Sequence, residues 1–452
     1  MHKTRWKIAT ALAASLALAG CATGGATTGG SDSAVQVPEL DPNQQVDIVF
    51  ESYNLAQAGL WTDTITGLIS DFEAAHPNIH VKAQPPQSGG AAGSGTASSV
   101  QTQMLAGSPP DVAQLTFDTL DFAVTALKAR NLDELVGEDA VQANFGGDHP
   151  FHPRAATLGD WNGDTYGVPY VFSTPTLFYN STALIEAGLP ADTDLSTWSK
   201  VSTAAKAVTA KTGKPSLGVS CSVKGGSWCM QALFKSAGGG VLSEDRKTVE
   251  FGEPASVSAV TMLRGLYEDG VLVNADSATQ YEGFAKGDIA IDLNTSALQG
   301  MFVSSAAKAG WDLRATAMPA FDGHAAVPTN SGSVLSVFSQ DPAKARAAWE
   351  LIKFMTSDHA YTQISTKIGY LPLRSSLTQD PAALKPWADG NPLLAPNLKQ
   401  LDSIQPWQSY PGNSYVQVDD ILAQAIEESV FYGKDPKSTM QAAQQRAQDL
   451  IG

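Results

Sequence analysis

The chain opens with an apolar run from Ile8 to Gly20, made mostly of Ala and Leu, behind the basic residues Lys3, Arg5 and Lys7. A charged start and a short greasy stretch make a secretory signal, well below the roughly 20 residues that span a bilayer. Patterned sequence begins at Val46. Val46-Asp47-Ile48-Val49-Phe50 reads as a strand, and Trp61, Ile65, Leu68, Ile69 and Phe72 then recur at helical spacing. Pro77 ends that helix, and Ile79 to Ala83 alternates as a second strand. A Gly/Ser stretch at 88–99 leads into a helix carrying Val100, Met104 and Leu105, and Asp111 to Leu115 forms a third strand. A further helix is expected from Thr119 to Arg130. Strands alternating with helices predict an α/β fold with a mostly parallel sheet covered on both faces.

Beyond the landmark Tyr166-Gly167-Val168-Pro169-Tyr170, the stretch from Val171 to Asn180 is rich in β-branched and aromatic residues and reads as extended. Helical faces follow at Trp198, Val201, Ala205 and Val208, then at Val257, Val260, Leu263 and Tyr267. Ile289 to Ile291 and Ser333 to Phe338 read as strands, Ala345 to Met355 as a strong helix, and the chain from Tyr415 as largely helical. About four hundred residues follow Val46, more than one hydrophobic core usually serves, so two lobes are expected.

Apolar residues make up 43% of the chain and charged ones 16%, which suits a folded body. The net charge of −16 becomes −19 once the three positive charges of the signal are removed. So acidic a body lacks the basic footprint that nucleic acid requires. Residues 22–45 are Gly, Thr, Ser, Ala, Pro and a few acids, a composition that reads as a flexible tether.

Of three cysteines, Cys221 and Cys229 lie eight apart and are expected to pair in an oxidising compartment. No second Cys or His pair stands nearby at zinc-ligand spacing. Gly93-Ser94-Gly95 lacks the rest of a phosphate loop. Asp160-Trp161-Asn162-Gly163-Asp164 starts like a calcium loop but has Thr165 and Val171 where the motif needs Gly and Glu, and reads as a surface turn. His149 and His152 have no carboxylate that completes a metal set. There is no Gly-x-Ser-x-Gly elbow and no His-Glu-x-x-His. Nothing in the chain demands catalysis, a metal or a cofactor.

Leu18-Ala19-Gly20-Cys21 resembles the bacterial lipobox, which implies cleavage before Cys21, lipidation of Cys21 and anchoring to the outer face of the cell membrane. Four further stretches, in order, resemble the extracellular solute-binding proteins of carbohydrate-class ABC importers. They are Ile69 to Val81, Asp111-Val112-Ala113-Gln114, Tyr166-Gly167-Val168-Pro169 through Leu177-Phe178-Tyr179-Asn180, and Lys367-Ile368-Gly369-Tyr370-Leu371-Pro372. Within that family, Ser173-Thr174-Pro175 and Gly369-Tyr370-Leu371-Pro372 are most similar to the glycerol-3-phosphate and glycerophosphodiester binders. The resemblance implies a two-lobed periplasmic-binding-protein-like fold of type II, with the ligand cleft between the lobes. It places lobe 1 at 46–171 plus 322–371, and lobe 2 at 172–321 plus 372–452.

It also implies ligand contact at Asp118, Ser173, Trp228, Ser296, Gly332 and Tyr370. The subgroup's phosphate-binding arginine falls near Gly412-Asn413, where this chain has Gln408-Ser409-Tyr410-Pro411, and Tyr410 takes the slot. A tyrosine hydroxyl does not replace a guanidinium fork on a dianion. The family's early cleft tyrosine, sought at 85–100, is replaced there by Pro, Gly and Ser. A sugar, an oligosaccharide and a polyol or glycerol phosphate derivative all remain open as ligands. The implied role is that of a monomer that captures such a solute unchanged and delivers it to an ABC permease. The competing roles are a surface glycan-processing enzyme, which needs two facing carboxylates, and an adhesin without a small-molecule cleft.

Overall fold

The computed structural model describes residues 36–57, 59–87, 94–401 and 403–452. Cys21, the apolar run before it and most of the tether lie outside the described residues. The last part of the expected tether is packed: the Val37 amide donates to the Leu135 carbonyl at 2.9 Å, and Val37 and Leu40 lie against the core.

The strands among the described residues are β1 (Val46–Glu51), β2 (Ile79–Gln84), β3 (Val112–Thr116), β4 (Asp160–Trp161), β5 (Asp164–Thr165), β6 (Val168–Ser173), β7 (Pro175–Asn180), β8 (Leu217–Val219), β9 (Ile291–Thr295), β10 (Leu313–Ala317) and β11 (Ser331–Val337). They form a first sheet of order β2-β1-β3-β11-β6, a second of order β10-β7-β9-β8 and the small β4-β5 ribbon. In the first sheet β1 runs parallel to β2 and β3, as the strand–helix alternation predicts. The expectation of a mostly parallel arrangement fails elsewhere. β11 is antiparallel to both β3 and β6, and β7 is antiparallel to both β9 and β10. The reason lies in the connections: β6 and β7 are separated by Thr174 alone, so one extended run leaves the first sheet and enters the second. Such a strand arrives without a crossover helix and need not be parallel to its neighbours.

Three segments therefore pass between the sheets. The first is centred on Thr174, the second lies at 318–330, and the third runs from Gly369 to the helix Leu394–Gln400, which packs on β10. The first and third meet where the Leu371 amide donates to the Phe172 carbonyl at 2.9 Å, and the second meets the segment after the helix Leu394–Gln400 where Thr329 bridges to Gln405. This is a two-lobed α/β body.

Local pattern accounts for most helices. Trp61, Ile65, Leu68, Ile69 and Phe72 are all buried along the helix Leu60–Ala75. The helix expected over Thr119–Arg130 is shorter, with only Leu120–Thr125 helical. It closes with the Ala129 amide bonded to the Ala123 carbonyl and Lys128 at φ 58°, a left-handed C-terminal motif that propensity does not reveal. The stretch Asp160–Asp164 is the β4-β5 turn, with Asn162 and Gly163 at positive φ.

Cys221 and Cys229 form a disulfide with their Cα atoms 5.1 Å apart. It ties the turn after β8 to the first turn of the helix Ser227–Ser236. Closing so short a loop contributes about 2–3 kcal/mol in the chain-entropy model. The double change Cys221→Ser with Cys229→Ser is expected to lower the urea-unfolding free energy by that amount. Reductant then destabilises the parent protein and leaves the double variant unaffected.

Candidate functional site

The carboxyl ends of β1 and β3 point toward the second lobe, the place where open α/β sheets bind ligands. Ser52 and a short turn at Tyr53–Ala56 follow β1, and another turn at Phe117–Thr119 follows β3. These turns carry Tyr53 and Asp118, both buried. Beside them is a cavity of about 530 Å³. Phe117 and Phe172 line it from the first lobe, Leu371 from the third crossing, and Trp407 from the segment that follows the helix Leu394–Gln400. The two phenylalanines meet edge to face with centroids 6.3 Å apart. These faces give an apolar platform of the kind that C–H surfaces of a sugar ring cover.

The polar side of the cavity is sparse and positioned. Asn330 Oδ1 accepts from the Trp407 backbone amide at 2.8 Å, which fixes the Asn330 side chain against that segment. Asn330 Nδ2 and Trp407 Nε1 are buried donors with no hydrogen-bond partner in the protein. Arg246 reaches Asp121 at 2.8 Å and the Ser409 carbonyl at 3.1 Å, closing the rim from opposite lobes. Arg246 stands at φ 60°, so its backbone is itself held in an uncommon conformation. Arg154 also lines the wall and is exposed.

The residues named from the resemblance do not line this cavity; several lie directly behind its wall. Asp118 follows Phe117, and Tyr410 follows Ser409. Asp118 Oδ2 accepts from the Tyr415 hydroxyl. Burial, and then the charge of Asp419, push the Asp118 carboxyl well above the usual carboxylate range. Burial raises Tyr410 as well, with Asp419 and Asp118 adding to it, and its hydroxyl has no partner. The Tyr370 hydroxyl donates to Asn54 Oδ1 at 3.4 Å, and its ring meets Trp61 edge to face at 5.1 Å. Tyr53 joins the same group beside Tyr370, Ser333 and Gln114, and burial pushes it up to about 12. Tyr53 stands directly after the first strand, well before the stretch 85–100.

Ser173, Ser296 and Gly332 belong to the crossings. Ser173 Oγ accepts from Thr295 Oγ1 at 2.7 Å, and Ser296 Oγ accepts from the Thr174 amide at 3.1 Å. Both hydroxyls thus hold the first crossing against β9. Gly332 has φ 133°, and a Cβ there would stand 2.0 Å from the Val171 carbonyl and 2.9 Å from Phe117 Cε2. Only glycine lets β11 approach β6 this closely. Trp228 lies in the first turn of the helix Ser227–Ser236, within the core, where its carbonyl accepts from Thr329 Oγ1.

The missed residues are Trp407, Asn330, Asp121 with Arg246, and the pair Tyr415 and Asp419. One signal was available: Tyr415 and Asp419 stand four apart on one face of the helix Tyr415–Val430, and both are buried. A polar pair on the inward face of a terminal helix marks a site more sharply than a tryptophan beside a disulfide.

A family model described as bacterial extracellular solute-binding protein matches residues 67–392. The chain belongs to this family. The sn-glycerol-3-phosphate-binding periplasmic protein UgpB of Brucella melitensis is 25% identical over 308 residues, 64% of this chain and 68% of that protein. UgpB of Rhizobium meliloti is 24% identical over 306 residues, with 64% and 69% covered. Among solved structures, UgpB from Mycobacterium tuberculosis in complex with glycerophosphocholine superposes with TM-score 0.75 at 23% identity, covering 90% of this chain and 98% of that one. Maltose-bound MalE3 of T. maritima gives TM-score 0.75 at 21% identity, covering 90% and 100%. At such identities the structural neighbours establish the fold. They place this family member among two-lobed binding proteins with a cleft between the lobes.

Proposed function

We propose that the cavity between the lobes captures a carbohydrate-type solute, a sugar, oligosaccharide or polyol or glycerol phosphate derivative, and that the protein delivers it unchanged to an ABC permease. The observation that carries this reading is the pairing of an apolar platform, Phe117, Phe172 and Trp407, with two buried unpaired donors, Asn330 Nδ2 and Trp407 Nε1. A hydroxylated ligand supplies acceptors to both donors and apolar C–H faces to the rings. A ligand that leaves those donors unmatched loses roughly 1–3 kcal/mol for each, which is the source of selectivity. Ligand contacts from both lobes favour the closed form and shift the balance toward it. The relatives described as glycerol-3-phosphate binders and the neighbours holding maltose and glycerophosphocholine support the same solute class. Arg154 offers a guanidinium to a phosphate-bearing member of the class. In this reading the chain works as a monomer on the outer face of the cell membrane, held there by lipid on Cys21 and the tether. No described helix is long and apolar enough to cross a membrane.

Calorimetric titration over sugars, polyols, glycerol phosphate and glycerophosphodiesters tests this, with each ligand recovered and checked for chemical change. At least one is expected to bind saturably and return intact. Trp407→Ala is expected to weaken the best binder by about 1–3 kcal/mol, whereas Trp228→Ala leaves its affinity within about twofold. Turnover of the ligand, or equal effects of the two tryptophan changes, contradicts the assignment.

A further inference from the structure

The cavity leaves one buried group of charges unexplained. Asp118 comes from the turn after β3 in the first lobe. Asp419 comes from the helix Tyr415–Val430, which packs on the helices Pro254–Glu268 and Pro436–Ile451 of the second. The Tyr415 hydroxyl, one helical turn before Asp419, donates to Asp118 Oδ2, so the two carboxyls share one neighbourhood. Asp118 is 1% exposed, Asp419 4% and Tyr410 1%. Asp118 Oδ1, Asp419 Oδ1 and Tyr410 Oη all lack a hydrogen-bond partner. The cations nearby are already engaged: Lys224, largely exposed, bonds Asp420 at 2.7 Å with its charge also felt at Asp419, and Arg246 holds Asp121; Asp419 otherwise has a hydrogen bond from Ser227. The closed lobes therefore hold two carboxyls in a dry place, where burial pushes both toward their protonated forms, with acceptor oxygens unmet. Natural interiors seldom keep such oxygens unpaired unless something else supplies the hydrogens.

We infer that Asp118, Asp419 and Tyr410 form a subsite for a protonated amine, so that the preferred solute is a hydroxylated molecule carrying a primary or secondary ammonium group. This rests on the capture reading above and narrows its ligand. An ammonium with N–H bonds donates to the two Oδ1 atoms and to Tyr410 Oη at once, and its charge offsets the pair. A quaternary ammonium brings charge but no N–H, and leaves the oxygens unpaired. A phosphate is repelled here and has its place in the main cavity near Arg154. Because the acids come from opposite lobes, the amine also acts on closure: it favours the ionised carboxyls and gives the closed form a bridge between the lobes.

Matched ligand pairs test the assignment on the full-length folded protein by calorimetry near neutral pH. The pairs are glucosamine against glucose and against N-acetylglucosamine, and glycerophosphoethanolamine against glycerophosphocholine. In at least one pair the N–H-bearing amine is expected to bind about tenfold or more tightly than its partner. Asp419→Asn is expected to reduce that preference to about threefold or less while the partner's own affinity holds, and Tyr410→Phe to reduce it partly. The comparison of pairs on the unaltered protein decides the matter even where a variant fails to fold. Neutral or quaternary members binding as well as, or better than, the amines overturns the subsite and leaves solute capture standing. A panel in which no member binds counts against capture itself, and the subsite falls with it.

Discussion

Replacing Arg374 with methionine is expected to cost at least about 4 kcal/mol of folding stability, enough to leave little folded protein in mild denaturant. The side chain is buried near the start of the third crossing. Nε donates to the Thr356 carbonyl at 2.9 Å, Nη1 to the carbonyls of Gly146 at 2.8 Å and His149 at 2.6 Å, and Nη2 to Asn144 at 2.6 Å. The guanidinium also stands 4.6 Å from the centroid of the Phe151 ring. One residue thus bonds the carbonyls of a loop and of two helix ends, and it anchors the crossing to the first lobe. Methionine preserves the stem and removes every donor. Each carbonyl left unpaired in the interior costs roughly 1–3 kcal/mol, with part of that recovered where water enters. Arg374→Lys supplies donors from a single point instead of a planar fork and is expected to recover less than half of the loss. Urea unfolding followed by circular dichroism measures both. A loss below about 1 kcal/mol for Arg374→Met contradicts this account of the anchor.

The second large effect is a pH dependence centred on Asp292. This carboxyl is fully buried in β9, where Oδ2 accepts from Asn294 Nδ2 at 3.2 Å and Oδ1 has no partner. Burial pushes it from 3.8 up to about 7. The folded state therefore holds a proton that the unfolded state releases at much lower pH, and stability falls as pH rises from about 4 through about 7. Below the unfolded value both states are protonated and there is no difference; above about 7 the full penalty is present. A rise from 3.8 to about 7 corresponds to about 4 kcal/mol. Asp292→Asn keeps the shape and removes the charge, and so is expected to raise stability at pH 8 by about 2–4 kcal/mol and to change it little at pH 4. Unfolding free energies of both proteins across that range check the sign. A variant that is less stable than its parent at pH 8 sinks the claim of a buried proton.

Much of the architecture was legible because it is written in local periodicity. The faces at 61–72 and 345–355 bury as their spacing implies, and the extended run through Thr174 marks the first crossing. Strand direction was less legible, since a strand that passes between sheets carries the same apolar run whether its new neighbours are parallel or not. The end of the helix after Asp118 escaped because a left-handed Lys128 closes it, a conformation that helix propensity does not report. Asp118, Tyr370 and Tyr410 each stand next in sequence to a residue that lines the cavity, but their partners are far away in sequence. The hydrogen bond from Tyr415 to Asp118 joins residues 297 apart, and Asn330 meets Trp407 across 77. Periodicity reports on a face over a few turns and carries no record of such pairings. Trp228 drew attention for its place beside Cys229, and the structure seats it in the core, while Trp407, in an unremarkable Pro-Trp-Gln run, faces the cavity.

The claim beneath all of this is that solute is held between the two lobes, against Phe117, Phe172 and Trp407. A crystal structure of the protein with the tightest binder from the titration panel tests it most directly. The account predicts the solute in the cavity, bonded to Asn330 Nδ2 and Trp407 Nε1 and touched by both lobes. A solute bound to one lobe alone, or on an outer face with that cavity still empty, contradicts it.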